Sequence, residues 1–191
     1  MRTALFALTE GGARLVCRLA EAVEGGGTIY LPERLRGSVS AAHDIVYFAR
    51  LADVIKTAFT RYDAMICVMA TGIVVRMLAP CVESKLYDPA VLVFDEVGRH
   101  GISLLSGHIG GANELTRKLC AAVGADPVIT TATDVTGALA PDAMAARLAL
   151  RPVPKSAIQV LNTALLAGKE IAYYIAHDLP HAPFYEAQLR A

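Results

Sequence analysis

The chain has no excess of charge of either sign: 18 lysines and arginines balance 18 aspartates and glutamates in 191 residues. A basic nucleic-acid arm needs net positive charge, so no nucleic-acid partner is expected. No hydrophobic run is long enough to cross a bilayer either. The most apolar stretch, between Asp63 and Arg76, falls short of the roughly 18 to 20 residues required, and no membrane partner is expected. The apolar run Thr3 to Leu8 ends at Glu10, before a secretory core is complete, which reads as a native start of a soluble protein. The four cysteines, Cys17, Cys67, Cys81 and Cys120, lack any CxxC pair. Neither a disulfide framework nor a zinc site is expected, and the expected location is the reducing cytoplasm. Neither GxGxxG nor the phosphate-loop pattern GxxxxGK occurs, so a dinucleotide or nucleoside-triphosphate site has no support.

What the chain does have is apolar residues: 54% of the total, with mean hydropathy +0.44. Buried parallel strands explain that better than a membrane does, because they read as continuous apolar runs. Thr3–Leu8 reads as a strand, 13–23 as a helix closed by Gly25-Gly26-Gly27, and Thr28–Leu31 as a strand stopped at Pro32. From 41 to 59, Ile45, Phe48, Ala49, Ala52, Ile55 and Phe59 recur at three- and four-residue intervals, which predicts one helix with a buried stripe. Ala64–Ala70 is an unbroken apolar run, expected to be a central strand, and 73–78 a short helix. Ala90–Phe94 and Gly101–Leu105 flank a glycine-containing loop and read as a hairpin. Ala112–Val123 reads as a helix with a Glu114–Lys118 surface pair, and Pro127–Thr131 as a strand. The reading is α/β: a three-layer α/β/α, Rossmann-like domain over residues 1–136, with a mostly parallel sheet containing one antiparallel hairpin. A short C-terminal appendage follows over 137–191, with a stiff break at Pro152-Val153-Pro154, a helix over 157–166 and a strand over Ile171–Ile175.

In open α/β sheets ligands gather at the carboxyl ends of strands, where glycine turns let helix N-terminal N–H groups point outward. Two such turns stand out. The first runs from Ala70 to Arg76, with Thr71 placed to cap a helix beside Gly72. The second, Ser106-Gly107-His108-Ile109-Gly110-Gly111-Ala112-Asn113-Glu114, gathers a hydroxyl, an imidazole, a carboxamide and a carboxylate around three glycines. Asp134, after the last strand of this run, is a further acid. His43, His177 and His181 lie apart from these groups. An antiparallel hairpin would put Asp95 and Ser106 at opposite ends of the sheet, so only one of them can join Thr71. The expectation adopted is that the two glycine turns share one edge.

At these residues the sequence resembles a known family. The segments 69–76 (MATGIVVR), 88–91 (DPAV), 95–99 (DEVGR), 103–115 (SLLSGHIGGANEL) and 127–134 (PVITTATD), in that order, are similar to the cobalamin biosynthesis family CbiG, the cobalt-precorrin 5A hydrolases. The resemblance covers about residues 3–136, and 161–168 (LNTALLAG) resembles the start of that family's middle region. It implies a cytoplasmic hydrolase acting on a carbon–carbon bond, which opens a δ-lactone on cobalt-precorrin 5A and releases acetaldehyde. No cofactor is implied, since cobalt arrives with the corrinoid substrate, and no metal site of the protein's own. Family members usually carry a further C-terminal region while this chain stops at Ala191, which the resemblance reads as a split or truncated form; a separately encoded C-terminal region as partner and a homo-oligomer both stay open.

Within that resemblance His108 is the favoured general base, with Glu114 and Asp134 as rivals. Backbone N–H groups at Gly110-Gly111 and Gly72-Ile73 would receive the oxyanion, with Thr71, Ser106, Gly107 and Asn113 around the substrate. Arg76 would pair with a carboxylate arm. His108 as an axial cobalt ligand, a non-catalytic corrinoid-handling module, and a phosphate-binding α/β domain are the alternative readings.

Overall fold

The computed structural model describes residues 1–39, 44–84, 87–135, 141, 144–145, 148, 150, 153–154 and 156–190. The chain divides into two compact units, residues 1–130 and 131–191.

The first unit is built on a seven-stranded sheet: β1 (Thr3–Ala7), β2 (Thr28–Pro32), β3 (Asp44–Phe48), β4 (Ala64–Val68), β5 (Ala90–Phe94), β6 (His100–Leu105) and β7 (Asp126–Val128). Their order across the sheet is β3-β2-β1-β4-β5-β6-β7. All neighbours are parallel except β5 and β6, which are antiparallel through pairs such as Phe94↔Gly101 and Val91↔Leu105. β1, β4 and β5 are buried at every residue, which is why they read as unbroken apolar runs. Pro127 sits in β7, the edge strand, where a missing N–H costs no ladder bond on the open side.

Alternate strand residues feed two cores. On one face Leu5, Ile66, Leu92 and Phe94 pack with Val16 and Leu19 of α1 (Glu10–Ala22) and Leu119 of α4 (Ala112–Val123). On the other, Phe6, Met65, Cys67, Val91 and Val93 pack with Ile55 and Phe59 of α2 (Leu51–Arg61) and Val74 and Leu78 of α3 (Thr71–Leu78). Burial pushes the Cys67 thiol up to about 12, so that group behaves as a small hydrophobe.

Three local expectations are corrected. The single helix over 41–59 does not form: Asp44–Phe48 is strand β3 and the helix begins at Leu51. Ile45, Val46, Tyr47 and Phe48 are β-branched or aromatic, and pairing with β2 outweighs the coincidental helical spacing. On α4, Lys118 reaches Glu24 at 2.6 Å while Glu114 lies 3.5 Å from Arg117, so the Glu114–Lys118 pair is not made. In the second unit α5 (Ala132–Val135), α6 (Ser156–Leu166) and α7 (Ala182–Arg190) are helical, but Ile171–Ile175 belongs to no strand. Thr136-Gly137, Pro152 and His43 lie outside the described residues. No helix of the described residues is long and apolar enough to cross a membrane.

Candidate functional site

β1 and β4 are neighbours, yet the helices that follow them, α1 and α3, go to opposite faces of the sheet. At such a switch point no connection crosses the gap, and a crevice opens at the carboxyl ends of the strands. Here it is a cleft of about 500 Å³. Its floor is apolar, with Leu8, Val68, Val93, Ile102 and Val128, and its polar lining comprises Thr9, Thr71, Asp95, Glu96 and His100.

Each polar group is held by its element. Thr9 caps α1, its Oγ1 accepting from the Gly12 N–H at 3.1 Å. Thr71 is the first residue inside α3 rather than its cap: Ala70 holds the cap position and makes no side-chain bond. The first-turn N–H groups of Thr71 and Gly72 therefore point toward the crevice end of the helix with no intrahelical acceptor. The hairpin turn supplies Asp95, whose carboxylate accepts from the N–H groups of Val97 (3.1 Å), Arg99 (3.2 Å) and His100 (2.6 Å). The His100 Nδ1 lies 3.6 Å from Asp95 Oδ2, an ion-pair distance. Glu96 leans over the start of α1: a Cβ at Gly11 would sit 2.6 Å from its Oε1. Two arginines flank the crevice. Arg34 donates to the Leu8 carbonyl, and the Arg76 Nη1 folds back to the Gly72 carbonyl at 3.2 Å, leaving each guanidinium with further donors for an anion.

Burial pushes the Asp95 carboxyl upward, but the three backbone donors and His100 outweigh it and hold the group below its usual range. The folded pKa is thus depressed. The stability this provides is complete above about pH 4 and is lost as pH falls through the lowered value. Asp95→Asn is therefore expected to flatten the fall in urea midpoint on the acid side of pH 4, and an unchanged acid limb would contradict the caging of this carboxylate.

The second glycine turn is at the other end of the sheet. Because β6 runs antiparallel to β5, Ser106 leaves its strand beside the start of β5, where its Oγ donates to the Asp88 carbonyl at 3.0 Å. Thr71 instead lies on the edge shared with Asp95, about 16 Å away by the rise of a five-residue strand. The expectation that the two glycine turns share one rim is overturned by this reversal. Thr71, Gly72 and Arg76 are on the crevice rim, whereas Ser106, Gly107, His108, Gly110, Gly111, Asn113 and Glu114 are on the opposite one. There the turn is tightly packed. Ser106 is buried in the left-handed region at φ 59°, Asn113 is buried and accepts from Ser103 Oγ at 2.7 Å, and a Cβ at Gly107 would meet Asn113 Oδ1 at 2.7 Å. Asp88, also buried, accepts from the Ser84 N–H at 3.0 Å and secures the neighbouring loop. His108 is half-buried and Glu114 exposed. Asp134 belongs to the second unit, in α5.

Thr9, Glu96 and His100 carry no role in the sequence reading, and Asp95 enters it only as the alternative neighbour of Thr71, set aside there for the glycine turn at Ser106. One pointer was available: Thr9-Glu10-Gly11-Gly12 directly follows the first strand, the position of the first strand-to-helix turn in this class of fold.

Residues 53–134 match the family model described as cobalamin synthesis G N-terminal. The chain is 45% identical over 172 residues to a cobalt-precorrin-5A hydrolase of Salmonella typhimurium, covering 90% of this chain and 47% of that one. It is 32% identical over 187 residues to a cobalt-precorrin-5A hydrolase of Priestia megaterium, covering 93% and 50%. A crystal structure of a cobalamin biosynthesis protein G homolog from Sulfolobus solfataricus aligns with a TM-score of 0.49 at 21% identity, over 94% of this chain and 51% of that one. The chain thus spans about half the length of the curated relatives it matches.

Proposed function

We propose, from the premise that residues 53–134 belong to the cobalamin synthesis G N-terminal family, that this chain hydrolyses the δ-lactone of cobalt-precorrin 5A in the cytoplasm, giving cobalt-precorrin 5B and acetaldehyde. The likeness to two proteins named cobalt-precorrin-5A hydrolase supports the reaction. The observation that carries the site is the switch-point crevice, which joins an apolar floor to an imidazole, two carboxylates and helix N–H donors. The reaction needs water activated near neutral pH, a partner for the developing oxyanion, and a surface for a large ring bearing carboxylate arms.

His100 takes the proton from water, and Asp95 holds the imidazole and steadies its charged form. The first-turn N–H groups of α3, at Thr71 and Gly72, receive the oxyanion as water adds to the lactone carbonyl. The acyl–oxygen bond then breaks, leaving a carboxylate on the macrocycle and an alcohol on the two-carbon unit. Loss of the alcohol proton turns C–O into C=O as the carbon–carbon bond to the ring breaks. That electron pair passes into the conjugated ring, and acetaldehyde leaves. Arg34 and Arg76 grip carboxylate arms. Cobalt enters and departs with the substrate, and no step uses a cofactor of the protein's own.

A second reading keeps the chemistry at the opposite rim, with His108 as base and Ser106, Gly107, Gly110, Gly111 and Asn113 around the substrate. Its support is the left-handed backbone of the non-glycine Ser106, since strain of that kind often accompanies function. Glu114, exposed beside Arg117, is the rival base in this second reading. The test is to incubate the full chain with cobalt-precorrin 5A and measure acetaldehyde together with the mass of the corrinoid product. Catalytic release of acetaldehyde is expected. Tight binding of the corrinoid with no acetaldehyde would replace the hydrolase reading with that of a corrinoid-handling module.

A further inference from the structure

Opening a lactone and then expelling an aldehyde takes two proton abstractions from different oxygens, one from water and one from the alcohol that ring opening releases. His100 takes the first and holds it as imidazolium beside Asp95, so the alcohol proton calls for a second acceptor. Of the two carboxylates in the crevice, Asp95 is already engaged by three backbone N–H groups and His100. Glu96 lines the same cleft, is exposed, and makes no hydrogen bond or ion pair with another of the described residues. Its carboxylate is the uncommitted acceptor of the crevice, able to take up a proton and return it to solvent.

The two groups also approach the crevice from opposite faces of the sheet. Side chains alternate along β6, so His100 shares the face of Ile102, which packs with Val74 and Leu78 of α3. Glu96 leans to the other face, over the first turn of α1, where Gly11 makes room for it: a Cβ there would lie 2.6 Å from Glu96 Oε1 and 3.0 Å from its Cγ. Glycine is a poor helix former, and at this position it seats a carboxylate that the positive end of α1 favours. We propose that Glu96 is a second catalytic base, which removes the alcohol proton once the lactone is open. The O–H proton passes to a carboxylate oxygen of Glu96, the C–O bond becomes C=O, and the carbon–carbon bond to the macrocycle breaks with its electron pair staying in the ring. The proton then leaves Glu96 for solvent. This role rests on the hydrolase reading above, with His100 as the base for water.

The test follows cobalt-precorrin 5A through a single turnover of the full chain by rapid quench and mass spectrometry, with acetaldehyde assayed in parallel. Glu96→Gln is expected to consume the lactone at near the wild-type rate and to release acetaldehyde at least tenfold more slowly. It should accumulate a corrinoid heavier than the substrate by one water, the opened ring with its two-carbon unit still attached. Gly11→Ala keeps the carboxylate but displaces it with a methyl group, so a weaker form of the same defect is expected. His100→Ala should instead leave the lactone unopened, with no heavier species. Glu96 is exposed and glutamine keeps its shape, so circular dichroism should show unchanged melting. Acetaldehyde release at the wild-type rate from Glu96→Gln overturns the role, and so does a Glu96→Gln chain that no longer consumes the lactone. A wild-type chain that leaves the lactone intact refutes the hydrolase reading and the second base with it, whereas an active wild type beside an equally active Glu96→Gln chain refutes the second base alone.

Discussion

Replacing His100 with alanine is expected to lower the rate of acetaldehyde release from cobalt-precorrin 5A about a hundredfold, the usual scale for loss of one general base. That corresponds to roughly 2.7 kcal/mol of barrier. The fall should appear in kcat more than in KM, because the imidazole acts on the water and not on a carboxylate arm. Over half of the His100 side chain is exposed, so its removal should leave the melting curve in place and the loss will report on chemistry. Asp95→Asn should produce a smaller loss, since it keeps the shape of the turn but removes the charge that steadies the imidazolium. His108→Ala decides between the two rims. A hundredfold loss from His108→Ala with near-normal rates for His100→Ala would move the reaction to the turn at 106–111 and refute the crevice assignment.

Gly101→Val is expected to be the most damaging single change to the fold. Gly101 lies opposite Phe94 in the antiparallel pair, and a Cβ there would meet Cys120 Sγ at 2.4 Å and the Phe94 ring at 2.6 Å. Both neighbours are essentially inaccessible, Phe94 at 0% and Cys120 at 1%, so neither can swing into solvent. The glycine lets the ring lie across the strand and α4 approach it. Overpacking at such a site costs about 3 kcal/mol, near the top of the usual range, which for a chain of this size lowers the melting temperature by roughly 10 °C. Adding Cys120→Ala vacates the nearest clash and should restore part of the loss. Additive destabilisation in that double variant would show that Cys120 is not what the new side chain meets.

Much of the architecture was legible because it is local. The unbroken run Ala64–Ala70, the loop about Gly98 and the stripe of Leu115 and Leu119 each carry their element within a dozen residues. The helix expected over 41–59 failed because Ile45, Phe48, Ala49 and Ala52 fit helical spacing by coincidence, while the partner that makes 44–48 a strand is β2, out of view of any local window. The site was hidden for a different reason. Which rim a loop occupies depends on strand direction and sheet order, and the single reversal between β5 and β6 sends Ser106 away from Thr71 and brings Asp95 and His100 toward it. Glycine density also misled. Gly107 and Gly110 stand where a side chain would strike Asn113 and Ser106, so much of that conspicuous run is accounted for by close packing.

The reversal also sets an order of assembly. Parallel neighbours can pair only after a crossover has closed, whereas β5 and β6 are joined by the five residues 95–99, so their loop carries the smallest entropic cost in the sheet. The ribbon from Ala90 to Leu105 is thus the natural seed of folding, able to zip on the microsecond scale of isolated hairpins. One wall of the crevice then exists before β1 and β4 are brought together to complete it, and substitutions along the ribbon should slow folding while those at the switch point mainly hasten unfolding.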